Sequence, residues 1–237
     1  MRWNRANRTP RSDPTEIHVW RIPLDAGADL DRVVAALSDE EVRRADRFRF
    51  PLHRRRWMTA RAALRTILAA YLGESPGGLA FDHGPGGKPF LAAPDGAPDL
   101  RFNLAHSGDL ALCAVALQRE VGVDVERLRR DAPLVELARR WFSAGEVEAL
   151  LALPSDRRSA AFFACWTRKE AVVKAEGATV PAALKRFAVP LDPLAGETIA
   201  RGPERAWTLA TLDVGPGYAA ALAYEGPAEM RRFRWTA

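Results

Sequence analysis

Two carboxylates stand two residues apart in Gly122-Val123-Asp124-Val125-Glu126. On an extended chain alternate side chains share a face, so Asp124 and Glu126 point one way while Val123 and Val125 enter the other. Like charges held that close repel, and either a solvated edge or a bound cation must relieve them; two oxygen donors suit hard Mg²⁺. A second set lies in Trp166-Thr167-Arg168-Lys169-Glu170-Ala171-Val172-Val173-Lys174. Glu170 and Lys174 are four apart and therefore neighbours on one helical face, the spacing of a surface salt bridge. Their flanks, Phe162, Phe163, Ala164, Cys165, Val172 and Val173, predict instead a largely buried helix, in which an unpaired charge is costly.

A third set is Phe102-Asn103-Leu104-Ala105-His106-Ser107-Gly108, preceded by Gly86-Gly87-Lys88-Pro89. Exposed glycine N–H groups, a lysine and a His-Ser-Gly turn supply the donors and the point charge that a phosphate needs. Lysine is scarce, standing only at 88, 169, 174 and 185 against 31 arginines, so three of the four fall in these segments. His106 and Ser107 lack the G-x-S-x-G elbow of a hydrolase, and His18, His53, His83 and His106 have no metal-ligand spacing.

These residues need strands and helices to aim them. Glu16 to Ile22 reads as a strand, and Leu30, Val33, Val34 and Leu37 repeat at helical spacing. Ser38-Asp39-Glu40-Glu41 is a capping box opening another helix. Trp57, Ala60, Leu64, Ile67, Leu68 and Tyr71 mark a long helix from His53 to Leu72, stopped by Gly73. Strands follow at 79–82, 89–91, 100–104, 110–117 and 121–125, then helices at 134–141, 144–153 and 156–176. Strands close the chain at 187–190, 206–212, 218–224 and 231–235.

The order repeats: each half has a capped short helix, a long helix and strands. Ser38 to Val42 echoes Ser143 to Val147, and Trp57, Arg61, Ala62 and Arg65 echo Trp166, Glu170, Ala171 and Lys174, which sets Arg61 opposite Glu170. The expected fold is α+β, a pseudo-twofold duplication of two lobes, each a small, mainly antiparallel sheet packed with a long helix. We divide the chain into a mobile basic arm (1–14), a first lobe (15–120) and a second lobe (121–237), with the active site at the seam.

The chain has 237 residues, 48% apolar and 27% charged, enough for a packed core and against wholesale disorder. No apolar run reaches the roughly 18 residues of a membrane span and no signal core opens the sequence, so a cytoplasmic protein is expected. Two cysteines, Cys113 and Cys165, among apolar neighbours read as core residues rather than a disulfide. A net charge of +5 permits an anionic partner of any size.

Taken in order, the Gly86–Pro89, Phe102–Gly108, Gly122–Glu126, Trp141–Glu146 and Trp166–Lys174 segments resemble the 4'-phosphopantetheinyl transferase family, in its long two-lobed type that activates peptide and polyketide synthases. The resemblance implies transfer of the phosphopantetheine arm of coenzyme A to a serine of an acyl or peptidyl carrier protein, giving holo-carrier and 3',5'-ADP. It implies Mg²⁺, or Mn²⁺, held by Asp124, Glu126 and Glu170. Glu170 or Glu146 would take the serine proton and Lys174 would touch the transferred phosphate. Lys88, His106 and Ser107, with Arg44 and Arg56 from the first lobe, would bind the nucleotide. One departure is Ala105, where the family usually has Ser, removing a hydroxyl expected to help hold a CoA phosphate. A monomer without membrane or specific nucleic-acid binding is expected.

Two other classes compete. The arm and Arg54-Arg55-Arg56 fit a nucleic-acid-binding protein, which would leave the converging acids unexplained. A metal-dependent phosphohydrolase would use the same three acids.

Overall fold

The computed structural model describes residues 3–5, 13–25, 27, 29–92, 96–129, 132–178, 184–202 and 205–236. After the short β1 (Asn4–Arg5), the first lobe runs β2 (Glu16–Pro23), α1 (Leu30–Ala35), α2 (Asp39–Ala45) and α3 (Pro51–Leu72), then β3 (Phe81–His83), β4 (Pro89–Leu91), β5 (Leu100–Ser107) and β6 (Leu110–Leu117). The second follows as β7 (Val121–Arg127), α4 (Leu134–Trp141), α5 (Ala144–Ala152), α6 (Ser155–Glu176), β8 (Thr198–Arg201), β9 (Ala206–Thr211) and β10 (Tyr218–Tyr224), and β11 (Glu229–Arg234) ends the chain.

The first sheet has the order β1-β11-β2-β6-β5 and the second β7-β10-β9-β8, with β3 and β4 as a separate hairpin. The second sheet is antiparallel throughout, whereas β11 runs parallel to both β1 and β2 in the first. The chain end expected in the second lobe thus completes the sheet of the first. Part of the expected arm is also built in: Asn4 and Arg5 pair with Phe233 and Arg234, and the Trp3 indole donates to the Asp213 carbonyl at 2.9 Å. Residues 6–12 of that arm lie outside the described residues. The strand expected at 187–190 is irregular, and Thr198–Arg201 is a strand that no alternation had signalled.

Alternation on the strands explains the layering. Ile17 and Val19 of β2 meet Val121, Val123 and Val125 of β7 in one apolar core between the sheets. Trp20 and Ile22 of β2 face α3 on the other side. Helix α6 covers the outer face of the second sheet, with Phe162, Phe163, Ala171, Val172 and Val173 in its core. Gly122 permits the closest approach, because a Cβ there would sit 2.1 Å from the Ala171 carbonyl oxygen.

The echo between the two capping boxes holds, whereas the long helices superimpose in sequence differently from the Trp57–Trp166 echo. Helices α3 and α6 each have 22 residues, both ends shift by the same 104 positions, and each stops on a left-handed glycine, Gly73 and Gly177. Both short helices α2 and α5 begin with capping boxes, Ser38 with Glu41 and Ser143 with Glu146. In each lobe the box glutamate accepts from a cation on the long helix, Arg65 or Lys169. That cation also donates to carbonyls of the turn beyond the helix, Pro76 and Leu79 in one lobe, Leu184 and Phe187 in the other. Arg65 therefore corresponds to Lys169, and Glu170 to Thr66 rather than Arg61; the tryptophan echo misled because Trp57 and Trp166 sit at different heights on their helices.

Candidate active site

Strand β7 and helix α6 deliver the acids to one place. Asp124 and Glu126 lie on the β7 face opposite the valines, and one turn separates Glu170 from Lys174 on α6. The Lys174 ammonium reaches Asp124 Oδ1 at 2.5 Å, while Asp124 Oδ2 is buried without a hydrogen-bond partner. Asp124 is 4% exposed, and burial, reinforced by Glu170 and Glu126 and opposed by Lys174, pushes its carboxyl up to about 7. Burial also raises Glu170, with Glu126 adding to it against Lys174. For Lys174 burial works against the charge, yet Asp124, Glu170 and Glu126 outweigh it and hold the ammonium above its ordinary range.

Glu126 is positioned from the other lobe. Ser107 Oγ on β5 donates to Glu126 Oε2 at 2.8 Å and accepts from the Arg127 N–H at 3.1 Å. Two turns of the pleat earlier, Asn103 Oδ1 accepts from the Val123 N–H at 2.9 Å. These side chains tie the edge strands β5 and β7 across the seam. In the sequence Asn103 stands only within a phosphate-like motif; the signal was an amide set between Phe102 and Leu104 on a strand.

His106, next along β5, lines a cavity of about 540 Å³ with Arg44, Trp57, Arg61, Phe81, His83 and Leu104. The Arg44 guanidinium lies over Trp57 at 5.3 Å, and Arg61 over Phe81 at 4.4 Å. The His106 ring meets solvent, but the protein around it and the nearby Lys174 hold its pKa below the ordinary value. Arg61 and His83 were not expected here: Arg61 stood out only in the repeat, and His83 stands in no motif.

Four expected site residues lie elsewhere or are otherwise engaged. Glu146 is 4% exposed and fully committed: Oε2 accepts from the Ser143 N–H and from Lys169 Nζ, both at 2.8 Å, and Oε1 from the Val189 N–H at 2.8 Å. It is a fold residue and not a base in reach of a substrate. Lys88 Nζ donates to Glu120, Val121 and Ala175 instead of facing the cavity. Asp25 holds Arg56 through two hydrogen bonds of 2.9 and 2.5 Å. Ser107 is bound to Glu126. Ala105 is 5% exposed in the core between the sheets, so its missing hydroxyl is not a missing phosphate ligand.

Among the described residues, no three His, Cys, Asp or Glu side chains converge tightly enough to cage a metal ion. The cluster is instead an acid set neutralised on one side by Lys174, with one buried oxygen still open.

Comparison with known proteins covers both lobes. Residues 120–223 match the 4'-phosphopantetheinyl transferase superfamily, and residues 23–118 match the family described as 4'-phosphopantetheinyl transferase, N-terminal. The 4'-phosphopantetheinyl transferase HetI of Nostoc sp. is 42% identical over 221 residues, 93% of this chain and 91% of its own. The chain belongs to the 4'-phosphopantetheinyl transferase superfamily. Psf-1 of Bacillus pumilus, at 31% identity over 87% of this chain and 88% of its own, and Sfp of Bacillus subtilis (strain 168), at 28% over 83% and 86%, carry the same name. As a 4'-phosphopantetheinyl transferase the chain is an enzyme, and the boundary between the two matched regions falls where β6 gives way to β7, at the seam that holds the acids. No described helix of the transferase is long and apolar enough to cross a membrane.

Proposed function

We propose that the protein transfers 4'-phosphopantetheine from coenzyme A to a serine of an acyl or peptidyl carrier protein and releases 3',5'-ADP. The observation that carries this reading is Asp124: a buried carboxylate with one oxygen on Lys174 and the other open, in an acid cluster beside a cavity walled by His106, Arg44 and Arg61. The cavity supplies cations and aromatic faces for a nucleotide, and the cluster supplies charge for a pyrophosphate.

The residues fit Mg²⁺ as it is held in phosphoryl-transfer sites. That ion binds through one or two carboxylates and fills its remaining positions with water and substrate phosphate, so a complete protein cage is unnecessary. Asp124 Oδ2 is the ready donor, Glu126 is oriented by Ser107, and Glu170 faces them from α6. Mn²⁺ takes the same oxygens. When bound, the ion neutralises charge on the pyrophosphate as the leaving phosphate departs.

The chain's own groups do the rest. His106 and Arg44 hold the nucleotide end of coenzyme A, with Arg61 kept at the cavity wall by its ion pair to Glu41. Lys174, kept protonated by its acids, contacts the phosphate being transferred. Glu170, its carboxyl made more basic by burial, takes the proton of the carrier serine directly or through one water as Oγ attacks the phosphorus. The P–O bond to 3',5'-ADP breaks, and the arm remains on the serine.

An apo carrier domain incubated with the protein, coenzyme A and Mg²⁺ gains the mass of one phosphopantetheine arm, and EDTA abolishes the gain. Free phosphopantetheine with an unmodified carrier would show a hydrolase instead.

Position 105 gives a sharper check. Asn103 and Ser107 bond to the N–H groups of Val123 and Arg127, twenty positions on in both cases, which sets position 105 opposite Val125. A hydroxyl introduced by Ala105→Ser faces that strand, so KM for coenzyme A stays within about twofold of wild type. A marked fall in KM that disappears with the analogue lacking the 3'-phosphate would place position 105 in the nucleotide site after all.

A further inference from the structure

Gly86-Gly87-Lys88 stands out in the sequence as a phosphate loop, yet the fold turns it to a different use. The β3–β4 hairpin folds back at this point, with the Gly84 N–H bonded to the Lys88 carbonyl at 2.9 Å and Gly87 at φ +81°. Its tip packs on the end of α6 with no room for a side chain: a Cβ on Gly86 would fall 1.7 Å from the Gly177 carbonyl oxygen. The Lys88 ammonium then spends its three donors on Glu120 Oε2 at 2.7 Å, the Val121 carbonyl at 3.1 Å and the Ala175 carbonyl at 3.0 Å.

Two of these acceptors belong to the elements that carry the acid cluster. Val121 is the first residue of β7, three before Asp124, and Ala175 follows Lys174 on α6. A carbonyl in the last turn of a helix lacks an N–H partner within the helix and lies at the negative end of its dipole, so a cation there is favourable. Backbone carbonyls at fixed positions also leave the ammonium little freedom to swing towards a ligand.

We propose that Lys88 is a positioning residue that fixes, from the first lobe, the spacing between β7 and α6 and hence the geometry in which Asp124 and Glu126 meet Glu170 and Lys174. This rests on the transferase reading above, with the acids as the cation site. A phosphate ligand at position 88 would act on coenzyme A affinity. A clasp acts on cation affinity and turnover and leaves coenzyme A affinity alone.

The test compares Lys88→Met with wild type and with Arg101→Gln, which loosens the outer side of the same Glu120 bridge and the Arg101–Asp99 pair while leaving all three Lys88 bonds in place. Mn²⁺ affinity is measured by its effect on water-proton relaxation in the absence of carrier, and kcat and KM for coenzyme A with an apo carrier domain. Lys88→Met weakens Mn²⁺ about tenfold and lowers kcat at least tenfold, with KM for coenzyme A within twofold; Lys88→Arg recovers part of both, and Arg101→Gln changes neither. A rise in KM with Mn²⁺ affinity and kcat retained, or wild-type values throughout, overturns the clasp. Should Lys88→Met not fold, Lys88→Arg is read by the same split, since a guanidinium cannot place one nitrogen on all three acceptors. Failure of the wild-type protein to modify the carrier would overturn the transferase reading itself, an outcome separate from any effect of position 88.

Discussion

Asp124→Asn lowers transfer by two to three powers of ten while the protein stays folded. Removing a single well-placed electrostatic group from a transition state costs about 3 to 4 kcal/mol, and Asp124 contributes both the partner of Lys174 and the open oxygen for a cation. The asparagine keeps the shape and loses the charge, so stabilisation of the protein by added Mg²⁺ disappears with the activity. The pH dependence follows from the carboxyl at about 7. Because the folded value is raised above the ordinary one, the folded state holds a proton that the unfolded chain has already released. The resulting stabilisation is complete below about pH 4 and is lost as pH rises towards 7. Cation binding runs the other way, since the proton and the ion compete for the same carboxylate; Mg²⁺ affinity falls about tenfold per unit below pH 7. Melting temperatures of wild type minus Asp124→Asn, from pH 5 to 8 with and without Mg²⁺, isolate this group from the other titrating side chains. Wild-type turnover in the asparagine variant, or a difference that is flat with pH, would remove Asp124 from the site.

Glu146→Gln has its large effect on stability instead. Lys169 is fully buried, and its ammonium has the Glu146 carboxylate as its counter-charge, with two carbonyls beside it. Deleting one charge of a buried pair leaves the other uncompensated, at about 3 to 5 kcal/mol. In a chain of this length that lowers the melting temperature by roughly 10 °C. The Ser143 cap and the Val189 N–H lose a charged acceptor as well. Turnover per folded molecule is unchanged, because no atom of Glu146 faces the cluster at Asp124. A variant with native melting and lost turnover would restore Glu146 as a base.

The contrast between these acids shows what the sequence could carry. Period-two alternation placed Asp124 and Glu126 on one face, and helical spacing joined Glu170 to Lys174; both rules are local, and both hold in the fold. Capping boxes and glycine stops marked the helices to within a few residues for the same reason. Lys88, Glu146 and Ala105 were misjudged because side-chain partners far along the chain decide their roles: carbonyls at 121 and 175, a lysine at 169, a strand at 121–127. The duplication was visible, and its capping boxes were matched correctly, but the offset of the long helices was not. Strand alternation makes the offset consequential, since a shift of one residue exchanges the faces. At 104, Asp124 and Glu126 correspond to Trp20 and Ile22, so the first lobe holds packed core where the second holds charge.

The route of β11 bears on how the molecule is made. Its residues Glu229–Arg234 lie between β1 and β2, near the opposite end of the chain. Strand β2 has one hydrogen-bonded edge on β6 and awaits the other until Glu229–Arg234 have been made. The lobe synthesised first is therefore completed last, and until then it exposes a strand edge to neighbouring nascent chains. Pairing across that distance carries a high loop-closure cost, which makes the final docking slow compared with the helices around it. A chain released after Tyr224 would hold a second lobe with all four of its strands and a first lobe still open at one side.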